Sequence, residues 1–232
     1  CETKLPSWFT TKNIYYPKKL NIEQTSSEIT AQYKSQLISG NAILDLTGGF
    51  GVDSYYFSKR FKNVISCELD KKLVSIAKHN YIQFNINNVD VQYIDGIKYL
   101  EKITKTLDWI YIDPSRRHKT KGKVYFLSDC LPNIPKHIDI IFQHTKNILI
   151  KTSPLLDITA GIGELKYVKT IHVVAVNNEV KELLWILEKG FKENIYINTV
   201  NIKREKQEHF SFKLTEELNI KVQLILPVLV FS

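Results

Sequence analysis

Residues 43–53 read Ile-Leu-Asp-Leu-Thr-Gly-Gly-Phe-Gly-Val-Asp, an apolar run that ends in an acid and is followed by a glycine-rich turn. This pattern predicts a buried strand that delivers its carboxyl end to a tight turn and a helix. Gly48, Gly49 and Gly51 have no Cβ, so their backbone can adopt positive φ and lie close to a ligand. The stretch therefore predicts a cofactor site of the nucleotide-binding type.

Three later strand-like runs are also followed by an acid. In an open α/β sheet, ligands bind at the carboxyl ends of the strands. We therefore predict that these acids and the glycine turn belong to one site. The runs are Val64–Cys67 before Glu68, Val89–Ile94 before Asp95-Gly96, and Trp109–Ile112 before Asp113.

Strand and helix patterns alternate over residues 42–151, as a parallel sheet requires. Residues 1–24 show no clear periodicity and are interpreted as an irregular arm, whereas Thr25 to Glu28 fits a capping box that starts a helix over about 26–39. Residues 115–133 suggest no regular element, and a connection of that length is typical of a functional or mobile segment. A helix is expected over 136–144, followed by a strand over 147–151.

The pattern changes beyond residue 153. Residues 170–176 and 209–214 read as strands, and residues 181–187 and 194–202 flank Lys189-Gly190 like a hairpin, with a helix as the alternative for 181–187. We predict an α/β chain with a Rossmann-like, doubly wound, mostly parallel sheet, an N-terminal helical arm and a β-rich C-terminal part.

Composition narrows the functional classes. The 232 residues carry a formal net charge of +8, which favours a polyanionic partner such as nucleic acid, although a genome rich in lysine codons would give the same surplus. The three cysteines are widely spaced, which argues against a disulfide framework and a zinc site. No signal peptide or membrane-length apolar segment is present, so a cytoplasmic location is expected. The chain contains no methionine, so we expect it to be a fragment.

The acids discriminate between cofactors. A nicotinamide site would need a third glycine where Ser54 stands. Asp45 before the turn would repel a pyrophosphate but could hold an amino acid ammonium group, which favours S-adenosylmethionine. Glu68 suits a ribose in either kind of site, and Asp95 could accept a hydrogen bond from the adenine amino group. The alternative is that these carboxylates only satisfy turn amides.

Two sets of motifs resemble known families. Residues 45–51, Glu68 and Asp113-Pro114 resemble the cofactor and substrate motifs of class I S-adenosylmethionine-dependent methyltransferases. A closer resemblance, to bacterial methyltransferases with a THUMP-like domain, rests on Glu23-Gln-Thr-Ser-Ser-Glu28 with Thr30 to Lys34, Asp113-Pro-Ser-Arg-Arg117, Lys151-Thr-Ser-Pro-Leu-Leu-Asp157 and His172 to Leu184. Because THUMP domains bind RNA, this resemblance implies an RNA substrate.

The resemblance also implies domain bounds and roles. It implies an N-terminal arm and helix over 1–40, a methyltransferase domain over 41–214, and a tail over 215–232 that begins a further region. Asp113, Arg116 and Arg117 would be catalytic. The residues that would bind S-adenosylmethionine are Gln24, Ser26, Thr30, Asp45, Thr47, Gly49, Phe50, Gly51, Glu68, Leu69, Asp95 and Gly96.

The acceptor chemistry has two alternatives. Many amino-group methyltransferases have an aromatic residue shortly after the acid to stack on a flipped base, and here Arg116 would have to stack instead. The 5-methyluridine enzymes also use an acid-Pro-x-Arg run, but they need a cysteine nucleophile at the end of the next strand, where Lys151-Thr152-Ser153 stands. Cys130 could replace it only by chance, so the sequence favours a base amino group. A noncatalytic nucleic-acid-binding module and a nucleotide-dependent oxidoreductase remain as alternatives, and no metal is indicated.

Overall fold

A computed structural model describes residues 2–116 and 126–217, which form two compact units. Of the described residues, the first unit contains 2–112 and 143–146, and the second contains 113–116, 126–142 and 147–217. In the described ranges the helices are α1 Pro6–Thr10, α2 Lys19–Gln24, α3 Glu28–Gln36, α4 Val52–Phe57, α5 Lys71–Gln83, α6 Gly96–Leu100, α7 Ile134–His144, α8 Ile158–Glu164 and α9 Leu214–Glu217. The strands are β1 Gly40–Asp45, β2 Phe61–Glu68, β3 Val89–Tyr93, β4 Leu107–Ile112, β5 Ser115–Arg116, β6 Cys130–Leu131, β7 Thr145–Thr152, β8 Val168–Val176, β9 Glu179–Glu188, β10 Tyr196–Ile202 and β11 Gln207–Lys213.

The first unit is built on a parallel sheet in the order β4-β1-β2-β3. Strand β1 lies between β4 and β2, and its Ile43 and Leu44 side chains are fully buried. A strand buried on both faces reads as a continuous apolar run, which is why this segment was recognisable from the sequence. The four predicted strands and the helices between them are confirmed, with shifts of at most a few residues at their ends.

The N-terminal arm differs from the prediction. It contains the short helices α1 and α2 rather than an irregular segment. Trp8 of α1 is fully buried, and its ring centroid lies 4.7 Å from that of Phe50 in the glycine turn. The arm is therefore held in place by burial of a large aromatic side chain. No periodicity in the local sequence predicts this burial.

The predicted capping box at Thr25 is also corrected. Ser27 is the N-cap of α3, where its Oγ accepts a hydrogen bond from the Thr30 N–H at 3.2 Å. Glu28 does not reach back to its own helix. Its Oε1 instead accepts hydrogen bonds from the Ser7 N–H at 2.8 Å and the Trp8 N–H at 3.2 Å, so it caps the first turn of α1.

The second unit contains the strand order β7-β9-β8-β10-β11. The pairs β7–β9, β8–β9 and β10–β11 are antiparallel, and β8–β10 is parallel. The predicted hairpin around Lys189-Gly190 is wrong, because β9 pairs with β8 and β7 but not with β10. The hairpin turn is Asn177-Asn178, whose φ values of 50° and 67° suit the turn that joins twisted strands, and asparagine adopts them more readily than most residues. Residues 181–187 lie in a strand, so the helical alternative is also wrong.

Two local features of the second unit were missed. Helix α8 begins after Asp157, whose carboxylate accepts a hydrogen bond from the Ala160 N–H at 2.8 Å. The segment expected to lack regular structure contains the antiparallel pair β5–β6 and a single 3₁₀ turn at Leu127–Asp129. Pairs of two residues and single turns are too short to leave a periodic signal.

Burial of His172 in β8 makes stability depend on pH. Its side chain is buried, and desolvation, followed by the charge of His209, lowers the pKa of His172 from 6.5 to about 4. Between these values the unfolded chain binds more protons than the folded chain, so stability is full above pH 6.5 and falls as the pH drops to 4. We expect a loss of about 3 kcal/mol over this range.

Urea unfolding at pH 7 and pH 4.5 measures this loss. The His172→Gln variant should lose less stability between the two pH values than the wild type. His137→Gln removes a histidine that lies in α7, and it should leave the pH dependence of stability unchanged. An equal pH dependence in wild type and His172→Gln would contradict the assignment.

Candidate functional site

The glycine turn has two glycines that pack tightly and one, Gly49, at which an added Cβ would meet no close contact. A Cβ on Gly48 would lie 2.3 Å from Ser66 Oγ, and one on Gly51 would lie 2.4 Å from the Tyr81 hydroxyl. Gly49 has a φ of +56°, and the atom nearest to a Cβ added there would be the Thr47 carbonyl oxygen, at 3.8 Å. The backbone at Gly49 is therefore the part of the turn that a ligand can approach closely.

Asp45 is almost fully buried and organises the turn. Its Oδ1 accepts a hydrogen bond from the Thr47 N–H at 2.9 Å, and its Oδ2 accepts one from Ser54 Oγ at 2.6 Å. These contacts are the ones expected under the alternative interpretation, in which the carboxylate only satisfies groups of the turn. Direct contact between Asp45 and an ammonium group stays a prediction, and Thr47 is placed here as a partner of Asp45.

Glu68 joins the end of β2 to the turn. Its Oε2 accepts a hydrogen bond from the Gly49 N–H at 2.8 Å, and its Oε1 accepts one from the Asp70 N–H at 2.7 Å. A carboxylate offers about four acceptor positions, and these two bonds use one on each oxygen. Further positions remain for a vicinal diol such as a ribose. Leu69 follows directly and is 64% exposed, which suits contact with a flat apolar ring.

Asp95 is the N-cap of α6. Its Oδ1 accepts hydrogen bonds from the Ile97 N–H at 2.9 Å and the Lys98 N–H at 3.1 Å. Gly96 packs against Leu46, the residue that follows β1, because an added Cβ would be 2.6 Å from the Leu46 carbonyl oxygen. The structure thus gives both residues a local role, and contact with adenine stays a prediction.

Three residues that were predicted to bind the cofactor, Gln24, Thr30 and Phe50, differ in their exposure to solvent. Gln24 ends α2 and is exposed. Thr30 is buried, and its Oγ1 donates to the Ser27 carbonyl at 3.2 Å. The Phe50 ring is 2% exposed and packs in the apolar core, so any ligand contact there involves its backbone.

A buried polar network was missed by the sequence analysis. Lys34 of α3 is fully buried, and its Nζ lies 3.2 Å from Asp53 Oδ1 at the start of α4. Ser26 Oγ and the Tyr111 hydroxyl both donate to Asp53 Oδ2, at 2.9 and 2.8 Å. Ser26, predicted to contact cofactor, thus links the arm to the helix that follows the glycine turn. Lysine and aspartate are usually exposed, so no sequence signal indicated this pair.

A second ion pair involves the predicted catalytic acid in the second unit. Asp113 directly follows β4 in the chain, and its Oδ2 lies 2.5 Å from Nζ of Lys151 in β7. The Asp113 side chain is 29% exposed and that of Lys151 is 14% exposed, so both reach the surface. Lys151 lies in one of the motifs quoted above, but no role was predicted for it. Its position near the carboxyl end of an apolar strand was the available signal.

The two predicted catalytic arginines, Arg116 and Arg117, lie at the end of the described range 2–116 and just beyond it. Arg116 is placed by its backbone in β5, which pairs with Cys130 in β6. Arg117 lies outside the described residues. Cys130 is fully buried, as the alternative interpretation of a small buried hydrophobe expected.

In residues 2–116 and 126–217 no helix is both long and apolar enough to cross a membrane. The same ranges contain no group of three or more histidine, cysteine, aspartate or glutamate residues arranged to hold a metal ion.

The chain is similar to methyltransferases in sequence and structure. No protein-family model matches it. A proposed methyltransferase from Porphyromonas gingivalis W83, known from a crystal structure, superposes with a TM-score of 0.85 and 32% identity over 95% of this chain and 56% of that one. Ribosomal RNA small subunit methyltransferase A from Malacoplasma penetrans is 25% identical over 76% of this chain and 60% of its own length. Ribosomal RNA small subunit methyltransferase J from Francisella tularensis is 25% identical over 62% of this chain and 64% of its own length.

These likenesses confirm the predicted class I methyltransferase fold, with a parallel sheet and antiparallel C-terminal strands. They also make the chain a relative of methyltransferases. It spans less than two thirds of each of these three relatives.

Proposed function

We propose that this chain forms the methyl-transferring part of an S-adenosylmethionine-dependent methyltransferase that modifies RNA. The observation that carries the proposal is the glycine turn, in which the Gly49 backbone is not closely packed and its N–H donates to Glu68 at the end of the next strand. The RNA substrate is supported by the two ribosomal RNA methyltransferases that resemble the chain. The finer resemblance to enzymes with a THUMP-like domain, and a cytoplasmic location, belong to the same proposal.

The cofactor would be held by the first unit. Glu68 would accept hydrogen bonds from the ribose hydroxyls, Leu69 would contact the adenine ring, and the Gly49 backbone would lie beside the methionine part. Asp45, behind the turn, would fix its shape and add negative charge near the ammonium group. Bound S-adenosylmethionine supplies a methyl group already activated by a positive sulfur, so the protein contributes mainly positioning.

The acceptor would be held by the strand end at Asp113. Its carboxylate would accept a hydrogen bond from the attacking group, while Arg116 and Arg117 would contact phosphates or stack on a base. The net charge of +8 supports a polyanionic acceptor. Burial of the Cys130 thiol supports a base amino group over carbon 5, since covalent addition needs an accessible thiolate.

The alternative function is a noncatalytic nucleic-acid-binding module with the same fold. The turn contacts of Asp45 and the helix cap made by Asp95 favour it to the extent that these carboxylates are already satisfied within the protein. Transfer of labelled methyl from S-adenosylmethionine to separate RNA, DNA and protein pools distinguishes the two. Label in RNA supports the enzyme. No label in any pool, with cofactor binding intact, supports the binding module.

Two substitutions separate cofactor binding from turnover. We expect Glu68→Ala to weaken S-adenosylmethionine binding by about tenfold or more, because the ribose loses its acceptor. Asp113→Ala should keep that affinity and lower the transfer rate about a hundredfold or more. Calorimetry and labelled transfer measure the two effects, with exposed Glu101→Ala as the control. Unchanged transfer by Asp113→Ala would contradict the role of Asp113.

A further inference from the structure

Lys151 and Asp113 present a hydrogen-bond donor and an acceptor side by side. The Nζ and Oδ2 atoms lie 2.5 Å apart, and both side chains reach the surface of the second unit. An ammonium group only donates hydrogen bonds, and a carboxylate only accepts them. The pair is therefore a recognition element with a fixed order of donor and acceptor.

The backbone holds this pair in place. Lys151 lies within β7, and its register partner in β9 is Leu184. The next residue, Thr152, is buried and accepts a hydrogen bond from Nε1 of the buried Trp185 at 3.0 Å. A side chain that projects from such a strand is positioned more precisely than one on a loop.

We propose that Lys151 determines the acceptor base, so that the Asp113–Lys151 pair selects an amino group next to an unprotonated ring nitrogen. Adenine and cytosine present this order on their Watson–Crick edges, since the amino group donates to Asp113 and the ring nitrogen accepts from Lys151. Uracil has no amino group, and on its Watson–Crick edge guanine places a protonated ring nitrogen beside its amino group. This inference rests on the proposed function and narrows its substrate to adenine or cytosine in RNA.

The reaction at this edge is balanced. The amino nitrogen of the base forms the new bond to the methyl carbon, and the carbon–sulfur bond breaks with its electron pair remaining on sulfur. The nitrogen then releases one proton to Asp113 or to solvent. Lys151 contacts the ring nitrogen and takes no part in the transfer itself.

The first test identifies the product nucleoside made by the full-length wild-type protein, using mass spectrometry of labelled RNA. We expect a methylated amino group of adenine or cytosine. A methyl group on carbon 5, on guanine or on a ribose would overturn the inference and leave the proposed function standing. No transfer to RNA would overturn the proposed function, and the inference with it.

The second test asks whether Lys151 acts on the ring nitrogen. An RNA substrate in which CH replaces that nitrogen should react about 10- to 100-fold more slowly with the wild type. On the natural RNA, Lys151→Met should be slower than the wild type by a similar factor. On the altered RNA it should lose no further rate, because the substitution and the altered base remove the same hydrogen bond. Lys151→Arg, which keeps a cationic donor, should recover part of the rate.

The control is Lys146→Met, which changes an exposed lysine on the same strand and should leave both rates unchanged. Equal wild-type rates on natural and altered RNA would overturn the inference without any variant. The inference would also be overturned if the rate loss from Lys151→Met and the rate loss from the altered RNA multiplied. Independent effects would show that Lys151 does not contact the ring nitrogen. Cofactor affinity is measured alongside and should be unchanged in Lys151→Met.

Discussion

Replacing Asp53 with asparagine is expected to lower the free energy of unfolding by about 3–5 kcal/mol. The asparagine keeps an oxygen that can accept from Ser26 and Tyr111, but it removes the negative charge that faces the fully buried Lys34 ammonium. A buried charge that loses its counter-charge carries its desolvation cost largely uncompensated. Urea unfolding followed by circular dichroism measures the loss.

A second substitution tests the reason for that loss. The double variant with Asp53→Asn and Lys34→Met should recover most of the stability, because a buried pair is often replaceable by apolar packing of similar volume. The control is Glu23→Gln, which removes a charge from the exposed Lys19–Glu23 pair and should cost about 0.5 kcal/mol or less. If the double variant were less stable than Asp53→Asn alone, the charge explanation would be wrong.

Gly51→Ala is the second substitution with a large expected effect. Gly51 has a φ of +92° at the start of α4, and a Cβ there would lie 2.4 Å from the Tyr81 hydroxyl, which donates to the Gly51 carbonyl at 2.8 Å. Backbone strain and overpacking together should cost about 2–5 kcal/mol. The shift of the turn should also weaken S-adenosylmethionine binding about tenfold or more, since a displacement at a pre-organised site removes several contacts at once.

The matched control is Gly163→Ala in α8, where an added Cβ has no atom within 4 Å. This substitution should be neutral or slightly stabilising, because alanine favours a helix by about 0.5–1 kcal/mol over glycine. Thermal unfolding and calorimetric titration with S-adenosylmethionine measure both variants. A Gly51→Ala protein with wild-type stability and affinity would show that the turn tolerates a side chain and would remove the support for a close-fitting cofactor loop.

The alternation of strands and helices in the first unit was determined by the sequence alone. Each strand there has an apolar or alternating pattern and each connection carries its own turn or cap residues, so the signal lies within a few neighbouring positions. The same holds for Glu68 and Asp95, because each follows a strand-like run and so marks a strand end in the sequence itself. The cap contacts of Asp95 and the contact of Glu68 with the Asp70 N–H are local, two or three residues apart along the chain.

Tertiary structure decided the features whose partners are distant in the chain. Asp53 accepts a hydrogen bond from Tyr111, which lies 58 residues away, and Asp113 pairs with Lys151, which lies 38 residues away. Lys34 and Asp53 lie on helices that are separated by β1 and the glycine turn. The pairing of β9 with β8 instead of β10 is likewise a choice among strands of similar composition. A sequence records which side chains are available, but charge pairing and strand order depend on which side chains the folded backbone brings within a few ångströms of each other.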